Sequence, residues 1–303
     1  MQRVCFAAAS CGISILRRLR MSLSARIPRI LCLDSGLGGL TVVDAIRNAI
    51  PEARLRFIAD DAGFPYGTKD EASLTERLVR LVEQAAASFA PDVAVLACNT
   101  ASTVALSALR AAFAFPIAGT VPAIKPAAAL TKTGLVSVLA TPATVGREYT
   151  KSLVSRFGGG ARFTLVGAPN LAALAERFAC GEAIDDGLVR GEIEPCFVEA
   201  GGARTDVVVL GCTHYPLLIE KLEALQPWPV TWLDPAPAIA RRVANVLSDQ
   251  GHVVGVGAKP APAEILFSSG RRITPQLARL LEAHRINGGV NTDVHLPTES
   301  VHA

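Results

Sequence analysis

The chain is 303 residues long with a formal net charge of +3, half of it apolar and only 5% aromatic. That length allows about two domains with separate cores, and the small charge, with no Lys/Arg run interleaved with aromatics, argues against a nucleic-acid partner. Mean hydropathy is positive, but the longest charge-free stretch, Val93 to Leu109, carries Asn99, Thr100 and Ser102 and is shorter than the roughly 20 apolar residues of a spanning helix, so no membrane role is expected.

Residues 1–29 read as a flexible extension. Arg3, the apolar Val4 to Leu16, then Arg17, Arg18 and Arg20 resemble a signal peptide only faintly, because arginines stand where small residues and a cleavage site belong. An upstream start, with Met21 as the true first residue, fits equally well. Ile30 to Leu33 reads as a strand stopped by the loop Asp34 to Gly39. A helix follows over 40–49, a strand over 55–59, a Gly/Pro loop over 60–68 and a helix over 74–89 with apolar residues at helical spacing. Val93 to Ala97 is a strand running into Cys98, followed by a helix through Ala112. The second series has strands at 136–140, 162–166, 207–210 and 230–233. A turn and a helix are expected within 141–157, and helices over 171–178, 185–200 and 217–225. A helix over 238–247 is expected to pack back on the first half. Residues 251–264 look like a linker, 265–267 and 275–283 a last strand and helix, and 286–303 a disordered tail. Strand alternating with helix predicts an α/β fold of two similar domains with mainly parallel sheets: 30–121 plus 234–285, and 122–233.

Two segments are near copies. Asp92 to Cys98 (DVAVLAC) and Asp206 to Cys212 (DVVVLGC) agree at five of seven positions, with an offset of 114 residues. An apolar run ending at a polar loop is a buried parallel strand with functional groups at its C-terminal end. Asn99 and Thr100 follow the first cysteine, Thr213 and His214 the second. Two such thiols on opposite sides of one small molecule can remove a proton from one face of a carbon and return it to the other. The bland reading is two buried structural thiols; repetition at matched strand ends favours function. A metal site of Cys98, Cys212 and His214 lacks further ligands at recognisable spacing, so no metal is expected.

The other five cysteines are Cys5, Cys11, Cys32, Cys180 and Cys196. An odd total, wide spacings and no CxxC pair argue against disulfides and for a reducing cytoplasm. Cys32, Cys180 and Cys196 are expected as core fillers. Asp34 and Ser35 serve equally as helix cap or as active carboxylate and hydroxyl. The glycines at 36, 38 and 39 do not make a dinucleotide fingerprint. His214 stands within reach of a strand-end thiol, where it can raise the thiolate fraction or give a proton. Tyr66 and Gly67 form a turn or a cleft wall, and Glu176 alone is ambiguous.

At these residues the chain resembles the glutamate racemases. The segments are LDSGLGGLTV (33–42), FPYG (64–67), ACNTASTVAL (97–106), VPAIKPAA (121–128), LATPATVGREYT (139–150) and LGCTHYPLL (210–218), in one order over about 30–247. ALAERFACGE (173–182) and AIARR (238–242) are similar to proteobacterial members. Aspartate racemases tend to carry an acidic residue where His214 stands. The resemblance implies an active site in a cleft between two pseudo-symmetric domains and cofactor-independent interconversion of L- and D-glutamate for peptidoglycan. It implies Cys98 and Cys212 as the acid/base pair. Asp34, Ser35, Tyr66, Gly67, Asn99, Thr100, Thr213 and His214 would contact substrate, with Asp34, His214 and Glu176 as assisting groups. A regulatory cell-wall precursor and a homodimer belong to the same expectation. Thr120 departs from the more usual aliphatic residue, and nothing carries over beyond Gly251. The competing readings are a racemase for aspartate or another amino acid, a non-catalytic amino-acid-binding protein on this scaffold, and a redox or metal-binding protein.

Overall fold

The structure, a computed structural model, describes residues 26–255 and 263–287. In chain order the first elements are β1 (Arg29–Asp34), α1 (Gly39–Ala49), β2 (Arg54–Ala59), α2 (Glu71–Phe89), β3 (Val93–Leu96), α3 (Asn99–Ala112) and β4 (Ile117–Gly119). The second series is α4 (Ile124–Leu130), β5 (Leu135–Ala140), α5 (Pro142–Val145), α6 (Glu148–Phe157), β6 (Arg162–Gly167), α7 (Leu171–Ala179), α8 (Asp186–Ile193), β7 (Glu199–Ala200), β8 (Ala203–Arg204), β9 (Val207–Leu210), α9 (Ile219–Leu225) and β10 (Thr231–Leu233). The chain then returns through α10 (Ala236–Asp249), β11 (Ala263–Phe267), α11 (Pro275–Ala283) and β12 (Ile286–Asn287).

Two parallel sheets result, as the alternating pattern predicts. One has six strands in the order β12-β11-β2-β1-β3-β4, the other four in the order β10-β9-β5-β6. β3, β5 and β9 are buried at every residue, which is why they read as unbroken apolar runs rather than alternating ones. Helices α1, α10 and α11 cover one face of the larger sheet and α2 and α3 the other. Each fully buried Val or Leu in these layers contributes roughly 1.5–3 kcal/mol of transfer free energy.

The order in which successive strands are added reverses between β1 and β3 in the larger sheet and between β5 and β9 in the smaller. The loops after these strands open a crevice at each sheet's C-terminal edge, where ligands bind in such folds. The ladders run one residue past the strands: Ala97 N–H donates to the Leu33 carbonyl (2.9 Å) and Gly211 N–H to the Leu139 carbonyl (2.7 Å). Cys98 and Cys212 are the next residues in each case.

Several elements differ from the sequence reading. The helix expected over 185–200 stops at Ile193; a 3-10 turn over Glu194–Cys196 and an antiparallel hairpin, β7 with β8, follow. Pro195 removes an amide donor, and Gly201 and Gly202 take positive φ (61° and 78°) to make the hairpin turn. β4 and α4 were too short to mark themselves by periodicity. β11 starts at Ala263, inside the expected linker. Ile286 does not belong to a tail: it is buried and pairs with Ala263. Cys32 and Cys196 are fully buried fillers, but Cys180 is only half-buried and its Sγ accepts a hydrogen bond from Arg271 Nη2 (3.3 Å). The extension up to residue 25 and the segment 288–303 lie outside the described residues.

Candidate active site

Five strand-end loops meet at the crevice: those after β1, β2, β3, β5 and β9. Cys98, following β3, is the N-cap of α3 with extended backbone (φ −67°, ψ 125°). Its thiol faces the Ala101 amide and the Ser35 hydroxyl, both of which favour its anion. Burial pushes the Cys98 thiol up, the Asp34 carboxylate adds to this, and the Ala101 amide and Ser35 oppose it. Cys212 lies close enough for its charge to act on Cys98. The two thiols therefore belong to one site.

Cys212 follows β9 differently. Tyr215 N–H bonds the Cys212 carbonyl (3.2 Å), closing a turn into a 3-10 helix over Tyr215–Leu218. Its thiol faces His214 Nδ1 at 3.8 Å, and His214 Nε2 meets Glu176 Oε2 at 3.0 Å. The same Glu176 oxygen accepts the Leu37 N–H (2.9 Å). Burial alone would lower the His214 pKa; hydrogen bonds to Cys212 and Glu176 outweigh it and hold the imidazole well above the ordinary histidine range. Glu176 responds in the opposite sense. Burial would raise it, but the His214 bond and charge, the Leu37 amide and the Arg271 guanidinium bring it below the usual carboxylate range.

Asp34, fully buried, joins the two sides. One oxygen accepts the Gly36 N–H (3.1 Å), the other the Thr213 hydroxyl (2.9 Å) from the Cys212 loop. Burial pushes its carboxyl up against the opposing His214 charge and these hydrogen bonds. The loop after β1 can approach because Gly36 and Gly38 lack side chains. A Cβ on Gly38 would stand 2.6 Å from His214 Nδ1 and 2.7 Å from the His214 backbone nitrogen.

Tyr66 is buried, with its hydroxyl donating to Asp60 Oδ2 (2.7 Å). Asp60 is clamped by Arg77 Nε (2.7 Å) and Nη2 (2.5 Å). The ring is near enough to Cys98 for that thiol's charge to help raise the phenol pKa, after burial and Asp60. Gly67 sits against Thr141, where a Cβ would lie 3.9 Å from the Thr141 Cβ. Asn99 is buried, and neither its amide oxygen nor its nitrogen has a partner among the described residues. Such an orphan is rare in a folded interior and calls for a ligand or water to satisfy it. Thr100 from the larger sheet meets Thr141 and Thr144 from the smaller, each at 3.4 Å, and those two are 3.0 Å apart.

All the residues singled out from the sequence thus gather at this crevice. Sequence reasoning missed Thr141, Thr144, Asp60 and Arg77. LATPATVGREYT was visible as a matching segment, but nothing local said that its threonines cross to Thr100. Thr120, the departure noted above, is fully buried beside the site's supporting Ser102, whose hydroxyl accepts its amide (3.0 Å). Among the described residues no group of three or more His, Cys, Asp or Glu side chains is placed to hold a metal ion, and no helix is long and apolar enough to cross a membrane. Two thiols, an imidazolium–carboxylate pair and clustered hydroxyl and amide groups suit proton transfer to and from a polar small molecule.

The Asp/Glu/hydantoin racemase family model matches residues 40–243. Glutamate racemases from Brucella ovis and Brucella canis are each 54% identical over 219 residues, 72% of this chain and 79% of theirs. Among solved structures, Escherichia coli glutamate racemase in complex with L-glutamate and the activator UDP-MurNAc-ala superposes with a TM-score of 0.76 at 38% identity, covering 86% of this chain and 96% of that one. A glutamate racemase isoform from Bacillus anthracis gives 0.69 at 26% identity, covering 84% and 93%.

Proposed function

The chain belongs to the glutamate racemases of the Asp/Glu/hydantoin racemase family, and we propose that it interconverts L- and D-glutamate by passing the α-proton between Cys98 and Cys212. The reaction supplies D-glutamate for peptidoglycan. The observation that carries the reading is the meeting of two strand-end thiols, one from each sheet, within electrostatic reach in one buried site.

One cysteine, as thiolate, takes the α-proton; the electron pair of the broken C–H bond moves onto the α-carbon and its carboxylate. The other cysteine, as thiol, gives its proton to the opposite face. Each turnover leaves the two sulfurs with exchanged protonation. The α-carbon of an amino acid is a weak acid, so fixed donors must hold the developing charge. Asn99, Ser35, Thr213 and the α3 N-terminal amides serve the α-carboxylate. Thr100, Thr141 and Thr144, with Gly67 beside them, form the hydroxyl cluster for the second carboxylate. Asp34 receives the ammonium group. His214, protonated and backed by Glu176, gives or takes the Cys212 proton.

The domains on this reading are the expected 30–121 plus 234–285, extended by Arg29 and by β12 to 287, and 122–233, with free cysteines suited to a reducing cytoplasm. A regulatory cell-wall precursor, of the kind bound by the Escherichia coli relative, would take the cavity of about 310 Å³ at the junction of the two sheets. Val121, Ile124, Phe157 and Ile239 line it. Lys125 and Arg242 there supply cations for a diphosphate.

Incubation with L-glutamate in deuterated water tests the reaction. The expected result is loss of optical activity with deuterium at the α-carbon, no turnover of aspartate, and no racemisation by Cys98→Ala or Cys212→Ala. Full turnover by either variant would overturn the two-thiol reading.

A further inference from the structure

We propose that Arg271, in the C-terminal return of the chain, is a positioning residue for the Cys212 half of the reaction: it holds the Glu176 carboxylate that orients His214. The inference rests on the two-thiol reading above.

Glu176 uses its two oxygens for different tasks. Oε2 takes both the His214 Nε2 contact (3.0 Å) and the Leu37 amide (2.9 Å). Oε1 faces Arg271 Nη1 at 4.0 Å. The guanidinium is itself fixed from three sides. Nη2 donates to Cys180 Sγ (3.3 Å), Nη1 lies 3.9 Å from Asp61 Oδ2, and the group stacks 5.4 Å from the Phe267 ring centroid. Its backbone amide is tied too, donating to Ser269 Oγ (3.1 Å), and the Ser269 amide donates to Asp61 Oδ1 (3.0 Å). The loop between β11 and α11 is thus stapled to the loop after β2 while its arginine reaches the helix that carries Glu176. That helix end is seated on the same segment: a Cβ on Gly181 would stand 2.9 Å from Gln276 Cγ of α11.

A solvent-touched ion pair near 4 Å contributes little to folding. Beside Glu176 the cation favours the ionised carboxylate that His214 requires, adding to the stronger effects of the His214 contact and the Leu37 amide. The charged and titratable groups facing this chain of contacts are Asp61, Cys180 and Glu176 around Arg271, and Cys212, Asp34 and Glu176 around His214. Removing the guanidinium makes Glu176 easier to protonate, so activity should fail at a higher pH on the acid side. Lys221, Arg177 and Glu182 lie on other faces of this region and pair elsewhere.

The experiment compares wild type, Arg271→Gln, Arg271→Lys and the packing control Gln276→Ala in the full chain. Enantiomers are equally stable, so kcat/KM must fall equally in both directions, and kcat with it where KM is little changed; asymmetry is read in the primary deuterium isotope effects. Arg271→Gln is expected to lower kcat about tenfold with KM changed less than about twofold. It should shift the acid limb of the kcat profile upward and raise the isotope effect for one enantiomer only. Arg271→Lys should restore most of the rate, and melting temperatures should agree within a few degrees. An unmoved acid limb, equal isotope-effect changes for both enantiomers, or a profile matching Gln276→Ala would overturn the proposal. Racemisation by Cys98→Ala or Cys212→Ala would instead remove the two-thiol reading and this inference with it; their inactivity with a silent Arg271→Gln would remove this inference alone.

Discussion

The Cys98 and Cys212 loops begin alike and end unlike. Both follow a buried four-residue strand, and both cysteines sit one residue past the last ladder bond. Cys98 then opens a 14-residue helix whose amide at Ala101 turns toward the thiol. Cys212 opens a turn in which the corresponding amide, of Tyr215, bonds the cysteine's own carbonyl instead. The first thiol is served by a helix N-terminus and a serine, the second by an imidazolium held by a carboxylate. One topological position therefore supports two ways of stabilising a sulfur anion, a backbone dipole or a titrating side chain. Asp34 links the two loops: its charge acts on Cys98, and its carboxylate accepts a hydrogen bond from Thr213 on the opposite loop.

Removing the titrating helper should break the comparison hardest. His214→Asn is expected to lower kcat about 100-fold or more, and steady-state racemisation assays measure it. An effect under about threefold would mean that Cys212 does not depend on the imidazole. Close behind comes Gly38→Ala, whose added Cβ would lie 2.7 Å from the backbone nitrogen of His214. It should cost roughly 1–3 kcal/mol of stability together with most activity, read by chemical denaturation and turnover.

Ser35→Ala, on the backbone-served side, should cost only about tenfold, because Ala101's amide remains. An equal loss from Ser35→Ala and His214→Asn would erase the distinction between the loops. The distinction also has a pH signature. The folded-state pKa of His214 is raised, so its contribution to stability is complete below the unfolded value of ~6.5 and is lost as pH rises through the folded value. The melting-temperature gap between wild type and His214→Asn should therefore be widest at mildly acidic pH and shrink on the alkaline side. The smallest effect is expected from Arg147→Ala, which removes the exposed bridge from Arg147 Nη1 to Glu71 Oε1 (2.7 Å) between the two halves. Thermal melting should change by no more than ~1 kcal/mol equivalent.

The repeat itself is explained along its whole length. Asp92 and Asp206 lie at the far ends of the strands from the thiols and accept amides of adjoining segments: Arg29 N–H (2.8 Å) in the first case, Lys132 N–H (2.7 Å) and Thr133 N–H (3.1 Å) in the second. They are structural. The Ala97-to-Gly211 difference is also structural, since a Cβ on Gly211 would come within 2.8 Å of Ala140 Cβ.

Most strands, the two cysteines and their flanking polar residues were legible because those signals are local: apolar runs, period and chain punctuation. The hairpin after α8 was hidden by apolar residues that mimic helix spacing, although Pro195 and the Gly201-Gly202 pair were there to be read. Ile286 was assigned to a tail because two residues cannot announce a strand; only pairing with Ala263 makes it one.

By itself, the sequence determined the two strand–thiol units, the parallel α/β architecture and the likeness to the glutamate racemases. Each depends on residues within one element or its adjoining loop. The tertiary structure alone decided who serves each thiol. Glu176 stands 38 residues from His214, Asp34 179 from Thr213, and Thr100 41 from Thr141. Arg271 meets Cys180 across 91 residues. Hydrogen bonds and charge act over a few ångströms of space, and sequence pattern carries no measure of which distant loops the packing of two sheets will bring that close.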